Sequence, residues 1–212
     1  GMFQNTGFTA MTSLDLGSKF KTSKVKDMSY MFANTGHNAM TSLKLGSEFD
    51  TTLVTNMREM FNGCGQAELT SLDLGTKFNT KNVTDMNAMF ANCGTKITKL
   101  DLGDVFYTTK VKDMYHMFYN CGSSLMTELD LGPAFTKIAA SYANFVTSCG
   151  KSGSIVIYAP ESIYSSRQAF KLSKTSTTTI SFPRGTINPK YKPEWQKVSS
   201  SINTTNKTMT IT

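Results

Sequence analysis

Four cysteines carry the most versatile chemistry in this sequence, because a thiol can bind a metal, form a disulfide or act as a nucleophile. They recur at intervals of 29, 28 and 28 residues, as Cys64, Cys93, Cys121 and Cys149. This spacing predicts a column of thiols, roughly 5 Å apart if units stack as strands do, which is compatible with disulfide geometry. Thr6 and Thr35 hold the equivalent slot in the first two units, and threonine neither cross-links nor binds zinc. We therefore expect free, buried thiols in a slot that requires a small, half-buried residue, and a disulfide or a metal site is the alternative.

The two histidines and the common catalytic motifs give no indication of an enzyme. His37 falls in a predicted loop and His116 on a variable helical face, and neither belongs to a His-Glu-x-x-His motif. The sequence also lacks a nucleophile elbow, a P-loop and a dinucleotide-binding fingerprint. We therefore expect no catalytic residue, no metal ligand and no cofactor.

Methionine is the other abundant residue that could bind a partner, through its polarisable side chain. Eight of the 13 methionines occur as Met-x-x-Met-Phe in four segments, of which residues 25–36 (VKDMSYMFANTG) are the first. A methionine-rich face can be an adaptable binding groove. In a fifth copy, however, Tyr142, Phe145 and Val146 take the three slots, which keeps the bulk and loses the sulfur. Core packing is therefore the favoured interpretation, and an exposed groove or a metal site is the alternative.

These segments belong to a repeat that must position every candidate group. Its Leu-x-Leu-Gly motif begins, in steps of 29, 29, 28 and 29 residues, at Leu14, Leu43, Leu72, Leu100 and Leu129. Alternation predicts a short strand with both leucines inward, and the glycine predicts a turn. Met-x-x-Met-Phe has the i, i+3, i+4 spacing of one helical face, with Asp27 suited to the helix N-cap and Gly36 to the helix end. The equivalent N-cap candidates are Asn56, Asp85 and Asp113.

One strand and one short helix per 28 or 29 residues is typical of leucine-rich repeats, so the predicted fold is an α/β solenoid with one parallel sheet. Residues 69–94 (LTSLDLGTKFNTKNVTDMNAMFANCG) resemble the leucine-rich surface repeats of bacterial BspA-like proteins, in a Met-x-x-Met-Phe variant of lipoproteins and cell-wall proteins. The resemblance covers residues 1–150 and, more weakly, 151–182. It implies a right-handed solenoid on a bacterial cell surface, used in adhesion or protein binding, and carries no catalytic residues.

The two ends of the chain depart from the regular repeat. Residues 2–7 (MFQNTG) match the end of a unit, so we expect a piece of a longer protein whose first sheet edge could self-associate. Residues 154–160 and 177–183 are predicted to be strands of degenerate units. We divide the chain into a repeat solenoid at 1–182 and a C-terminal β cap at 183–212, with Trp195 as its plug and a hairpin around its polar centre. A separate binding module is the alternative for the second segment.

The outward strand positions are the most informative predicted surface. One column should hold Asp15, Lys44, Asp73, Asp101 and Asp130, and the next should hold Ser13, Ser42, Ser71, Lys99 and Glu128. Solenoids commonly bind partners through such a face, so protein or glycan contact is one hypothesis. A calcium site is another, although a flat sheet supplies few of the roughly six to eight oxygens that calcium prefers. The third is a solvated face that keeps the sheet soluble.

A second candidate patch lies in the fourth unit. The positions of Tyr107, Tyr115, His116 and Tyr119 are charged, polar or small in most other units. Aromatic side chains gathered on a surface often mark an interface. We therefore add these four residues to the strand-face candidates.

Composition argues against several classes of function. The chain of 212 residues is 39% hydrophobic with a formal net charge of +7, and its lysines are scattered among aspartates. A dense basic block with interleaved aromatics is missing, so nucleic-acid binding is not predicted. The sequence has no apolar run of about 18 residues, so no membrane span is predicted. The first residues also lack a signal-peptide pattern.

Together these features predict a non-catalytic, extracellular scaffold on a bacterial cell that recognises a protein or glycan of a host or neighbouring cell. A passive spacer that presents another domain of a longer surface protein is the alternative. An enzyme is a third hypothesis, without a motif to support it.

Overall fold

The computed structural model describes residues 1–150, 155–160, 162–163, 166, 169, 178–181 and 208–211 of the chain. In them the backbone winds as a parallel β-solenoid of about five coils. The described strands are β1 (Ser13–Asp15), β2 (Ser42–Lys44), β3 (Ser71–Asp73), β4 (Lys99–Asp101), β5 (Glu128–Asp130), β6 (Val156–Tyr158), β7 (Thr178–Ser181) and β8 (Thr208–Ile211). A solenoid follows from the sequence period, because equivalent residues return to the same place once per coil.

The strands form two sheets rather than one. In the first, β1, β2 and β3 pair in parallel with Leu14, Leu43 and Leu72 in register. In the second, β4, β5, β6 and β7 pair in parallel and β8 pairs antiparallel with β7. β3 and β4 do not pair. The prediction of one continuous parallel sheet is therefore wrong between these two strands.

The predicted helix in each unit is also wrong, because the described residues contain no α-helix. In residues 28–36, the amide of Met31 bonds to the carbonyl of Met28 at 3.2 Å, three residues back instead of four. The amide of Phe32 leaves the segment and bonds to Met60 of the next coil at 2.8 Å. The segment is a run of tight turns, so the described coils lack the helical layer of a leucine-rich repeat.

Backbone conformation explains why no helix forms. The φ angle is +57° at Tyr30, +54° at Asn34 and +56° at Gly36. Residues in this left-handed region cannot continue a right-handed helix, and asparagine and glycine tolerate it best. The methionines and the phenylalanine still point inward, because a turn of three residues returns the chain to the same face much as a helical turn does.

Phenylalanine rings form the centre of the solenoid. Stacked rings, with centroids 5.3–5.4 Å apart and planes within 8°, run through Phe3, Phe32, Phe61, Phe90 and Phe118. The paired methionines of the first four units are at most 6% exposed. Core packing, the favoured interpretation of Met-x-x-Met-Phe, is therefore confirmed.

The predicted N-caps make a capping hydrogen bond, but they begin a turn instead of a helix. Oδ1 of Asp27 accepts the amide of Ser29 at 2.8 Å. Equivalent bonds of 2.8–3.0 Å are made by Asn56, Asp85 and Asp113. A side-chain oxygen can reach the amide two residues on in either structure, which is why the same residue types suit both.

The predicted C-terminal cap lies largely outside the described residues. This holds for Trp195 and for the polar centre of the predicted hairpin. Within the predicted cap, β8 is described, and it pairs with β7, which falls in a segment predicted to be a strand. The boundary between residues 182 and 183 stays a prediction.

Candidate functional site

The outward residues of the first three strands lie side by side on an exposed face. Asp15, Lys44 and Asp73 are in register on adjacent strands, so the lysine stands between two aspartates. All three residues are exposed, whereas Leu43 beside the lysine is completely buried. The structure therefore brings these three predicted residues together, with a cation at the centre of the column.

The aspartates of this column have a structural role that sequence analysis missed. Oδ1 of Asp15 accepts the amide of Gly17 at 2.8 Å, where the glycine has a φ of +66°. Equivalent bonds of 2.8–3.1 Å are made by Asp73, Asp101 and Asp130. The Asp-x-Gly spacing was the signal for this turn, in which the carboxylate satisfies an amide that turns away from the strand. Part of the pattern that suggested a binding face is therefore turn chemistry.

The outward column is less exposed in the second sheet than in the first. Asp101 pairs with Asp130, but Asp130 is only 2% exposed, so the prediction that it faces solvent is wrong. Tyr158 lies beside Asp130 in register on β6, and burial raises the pKa of this tyrosine. Asp130 thus has an aromatic neighbour, whereas the register neighbours in the first sheet are all charged.

The neighbouring column contains an ion pair. Nζ of Lys99 lies 3.2 Å from Oε2 of Glu128 on the adjacent strand, and this hydrogen bond raises the pKa of the lysine. Both side chains are exposed, so the pair contributes little to stability. Two oppositely charged groups at fixed spacing are instead available to a polar partner.

A cleft of about 680 Å³ lies between β3 and β4. Its lining residues are Ser71, Leu72, Asp73, Leu74, Gly75, Thr76, Phe78, Asp101, Leu102, Gly103, Asp104 and Val105. Leu74 and Leu102 are buried, and Asp73 and Asp101 are exposed, so apolar groups lie inside and carboxylates lie at the rim. The cleft was not predicted from the sequence, although the 28-residue step from Leu72 to Leu100 was a signal for it.

Three of the four predicted aromatic residues form a cluster. The imidazole of His116 lies between two rings, with centroid distances of 3.9 Å to Tyr115 and 4.8 Å to Tyr119. Nδ2 of Asn144 in the next coil lies 2.8 Å from Nε2 of His116. Burial lowers the pKa of His116, because desolvation disfavours the imidazolium. Tyr115 is 39% exposed, so the cluster offers an aromatic surface to solvent.

Tyr107 is separate from this cluster. It follows Phe106 in the loop after β4, and its carbonyl accepts the hydroxyl of Thr80 at 2.7 Å. Among the described residues, its ring makes no contact with the rings of the cluster. Tyr107 is therefore not part of the ring cluster, and its role in the predicted patch stays a prediction.

The four thiols are free and buried, as predicted, although the slot itself is fully buried instead of half-buried. Burial raises the pKa of all four, to about 12 for Cys93. In the equivalent slot of an earlier coil, the hydroxyl of Thr35 donates to the carbonyl of Phe3 at 2.6 Å. The slot accepts a small residue that fills space, and neutral thiols in it are poor nucleophiles.

Across the part of the chain that the structure describes, no group of three or more His, Cys, Asp or Glu side chains is arranged to hold a metal ion. Within the same residues, no helix is long and apolar enough to cross a bilayer.

Comparison with known proteins gives a family match for the larger part of the chain. The family model is described as "Mycoplasma protein of unknown function, DUF285", and it matches residues 1–130. The matched region includes all strands from β1 to β5. Nothing among the curated proteins or the solved structures matches the chain. The resemblance to BspA-like repeats is not supported by these comparisons.

Proposed function

The chain belongs to the DUF285 family, and we propose that it is a non-catalytic binding scaffold displayed on the surface of a bacterial cell. The observation that carries this proposal is the contrast between inside and outside positions of the same coils. Inside, phenylalanine stacks on phenylalanine through successive coils. Outside, the first residue of the strand is serine in β1 to β3, Lys99 in β4 and Glu128 in β5. A constant core that presents changing side chains at a fixed spacing suits recognition by many weak contacts.

Two surfaces are the best candidates for contact with a partner. The strand face presents Lys44 and the Lys99–Glu128 pair among aspartates. The aromatic cluster, defined as Tyr115, His116 and Tyr119, presents rings that are held against one another. Rings already held against one another lose little conformational entropy on binding, so the cluster favours a planar or apolar group such as a sugar ring or a peptide side chain.

We propose a protein or glycan of a host or neighbouring cell as the partner. A location outside the cell is consistent with the repeat pattern that resembles bacterial surface proteins, and the parent protein would then be a lipoprotein or attached to the cell wall. The fold also suits a second role, because continuous ring stacks and hydrogen bonds between coils would make a stiff spacer.

An array of glycans and extracellular-matrix proteins tests the proposal. We expect reproducible binding by the native chain and a loss of binding when Tyr115 and Tyr119 are replaced by alanine. Tyr30→Ala is the matched control, since Tyr30 occupies the slot of His116 three coils earlier. For the strand face, Asp73→Asn and Asp101→Asn remove charge but keep the oxygen that closes the turn.

Each outcome of the array experiment has a defined meaning. Loss of binding in the tyrosine variants, with the control unchanged, assigns the contact to the aromatic cluster. Loss in the asparagine variants assigns it to the strand face. Binding that none of these substitutions changes would contradict both candidate surfaces, and an array without any bound ligand would favour the spacer role.

A further inference from the structure

The cleft between β3 and β4 begins with a difference in the length of one connection. Between Gly94 and Leu100 the chain has one residue fewer than between Gly65 and Leu72. In the shorter connection the amide of Ile97 bonds to the carbonyl of Gly94 at 3.1 Å, three residues back. Its counterparts bond four residues back at 2.9–3.1 Å and are Met40, Leu69 and Met126. This tighter turn leads directly into β4, the strand that does not pair with the strand of the preceding coil.

The opening is confined to the strand side of the solenoid. On the opposite side, the amide of Phe90 bonds to the carbonyl of Met117 at 2.8 Å, and the rings of Phe90 and Phe118 stack 5.4 Å apart. Thus the third and fourth coils are packed normally at the turn segments. They separate only where the other described coils form a sheet.

The glycines after the strands give an independent measure of this separation. A Cβ atom placed on Gly46 or Gly75 would overlap the carbonyl of the glycine in the preceding coil. A Cβ atom placed on Gly103 would meet nothing within 4 Å. The backbone of the preceding coil is therefore displaced at the cleft.

The cleft has three features that suit the binding of an extended peptide. Its two long walls are strands that have no partner on the facing side among the described residues, and such edges accept an added strand. Leu72 is partly exposed there, although Leu43 at the equivalent position of β2 is fully buried. Asp73 and Asp101 stand on the outer side of the two walls and place negative charge on both sides.

The first sheet contains a strand in the corresponding environment. Leu43, Lys44 and Leu45 lie with both leucines buried and the lysine in register between Asp15 and Asp73. A strand that entered the cleft would lie between Asp73 and Asp101 in the same way. Alternation would then place its apolar residues inside and its cationic residue between the two carboxylates.

From this correspondence we propose that the cleft binds an extended segment of a partner protein with the pattern apolar–Lys or Arg–apolar, which adds as a strand between β3 and β4. The proposal rests on the proposed function as a binding scaffold, and it names the class of ligand for one part of the strand face. Backbone hydrogen bonds to the strand edges supply affinity, and the central cation supplies specificity.

The chain itself supplies the two probe peptides. Residues 41–47 (TSLKLGS) and residues 12–18 (TSLDLGS) differ only at the central residue. With both ends blocked and a fluorescent label, the lysine peptide should bind roughly tenfold more tightly than the aspartate peptide in low salt. The difference should shrink as salt is added, because the carboxylates lie at the rim.

Substitutions locate the binding site. Asp73→Asn and Asp101→Asn should each weaken binding of the lysine peptide roughly threefold, and should leave the aspartate peptide no weaker. Asp15→Asn is the matched control, since Asp15 closes the same turn with Gly17 but lies two strands away from the cleft. Asparagine keeps the acceptor in all three variants, and equal thermal unfolding temperatures would show that the fold is unchanged.

Equal binding of both peptides, or no binding of either, would overturn the proposal. An effect of Asp15→Asn as large as those of Asp73→Asn and Asp101→Asn would also overturn it, because the peptide would then bind at the edge of β1. None of these results removes the proposed function, because the array tests recognition at any surface. Conversely, selective peptide binding together with a silent array would support the cleft and contradict recognition of the arrayed partners.

Discussion

Cys93 and Thr35 illustrate how one slot of the coil selects its residue. Both side chains are completely buried, and the threonine satisfies its hydroxyl by donating to the carbonyl of Phe3. A thiol loses little by being buried without a strong hydrogen bond, so the slot accepts either residue. The recurrence of the four cysteines therefore reflects shape and burial, and the same burial suppresses their reactivity.

The thiols should be protected in the folded protein and countable after unfolding. Because burial raises the pKa of Cys93 to about 12 and raises that of the other three as well, hardly any thiolate exists at pH 8. A thiol reagent should modify none of them in the native protein within minutes. In denaturant without reductant, it should modify four per chain. A count of two or none after unfolding would mean that disulfides form, contrary to this structure.

The imidazole of His116 should titrate below its ordinary pKa of 6.5, because burial beside two tyrosine rings disfavours its charged form. Near pH 6 the folded state then binds fewer protons than the unfolded state. The contribution of the neutral His116 to the free energy of unfolding is therefore fully present above its unfolded pKa, and it is lost as the pH falls through its folded pKa.

Ring resonances of His116, followed by NMR against pH, check this prediction. Tyr119→Ala should expose the imidazole and move its pKa towards 6.5. Tyr30→Ala, at the same slot three coils earlier, should leave the His116 titration unchanged. A wild-type pKa at or above the ordinary value would contradict the desolvation argument.

At the scale of elements, the sequence determined which residues face inward more reliably than which backbone places them there. The Met-x-x-Met-Phe spacing correctly predicted a buried face, because tight turns and a helix both return to that face after about three residues. The spacing could not distinguish tight turns from a helix, because Tyr30 and His116 adopt a positive φ without being glycine or asparagine. The amides that would have closed a helix instead bond to the next coil, which is a long-range choice that local spacing does not encode.

Alanine at equivalent turn glycines should separate backbone strain from contact between coils. Gly46 and Gly103 have similar φ values of +80° and +75°, so alanine should cost about 1–2 kcal/mol in strain at each. At Gly46 the new methyl group also overlaps the carbonyl of Gly17, which should add about 1–3 kcal/mol. At Gly103 there is open space.

Urea unfolding of the Gly46→Ala and Gly103→Ala variants checks this prediction. We expect Gly46→Ala to lower the free energy of unfolding by clearly more than Gly103→Ala does. Equal losses would indicate that the coils are as close at β4 as at β2, and the cleft would then be closed in solution.

At the scale of the whole molecule, the solenoid is a stack in which each coil contacts its neighbours, so its stability is a sum of coil and interface contributions. Interfaces within each sheet combine paired strands with packed phenylalanines. The interface between the third and fourth coils retains the phenylalanine contact but lacks strand pairing. It should therefore be the weakest interface of the described stack.

The period of the sequence predicted the stack of coils. The connection before β4, which is one residue shorter than the connection before β3, marked the place where the stack is irregular. That this shorter connection coincides with unpaired strands could be seen only from the backbone geometry.

Restoring the missing residue should close the cleft. An alanine inserted between Lys96 and Ile97 gives this connection the length of those before β2 and β3. The isoleucine could then bond four residues back, as Leu69 does, and β4 could enter in register with β3. Pairing along three residues should raise the free energy of unfolding by about 1–3 kcal/mol, and peptide binding at the cleft should be lost.

The same insertion between Leu125 and Met126 is the matched control. It lengthens a connection that already has the longer form, so it displaces Met126 from its buried slot and should lower the free energy of unfolding by about 1–3 kcal/mol. Urea unfolding compares the two variants, and hydrogen exchange shows whether amides of Leu72 and Leu74 become protected. If the insertion before Ile97 destabilises the protein as much as the control does, connection length is not what separates β3 from β4. The peptide site would then need another physical origin.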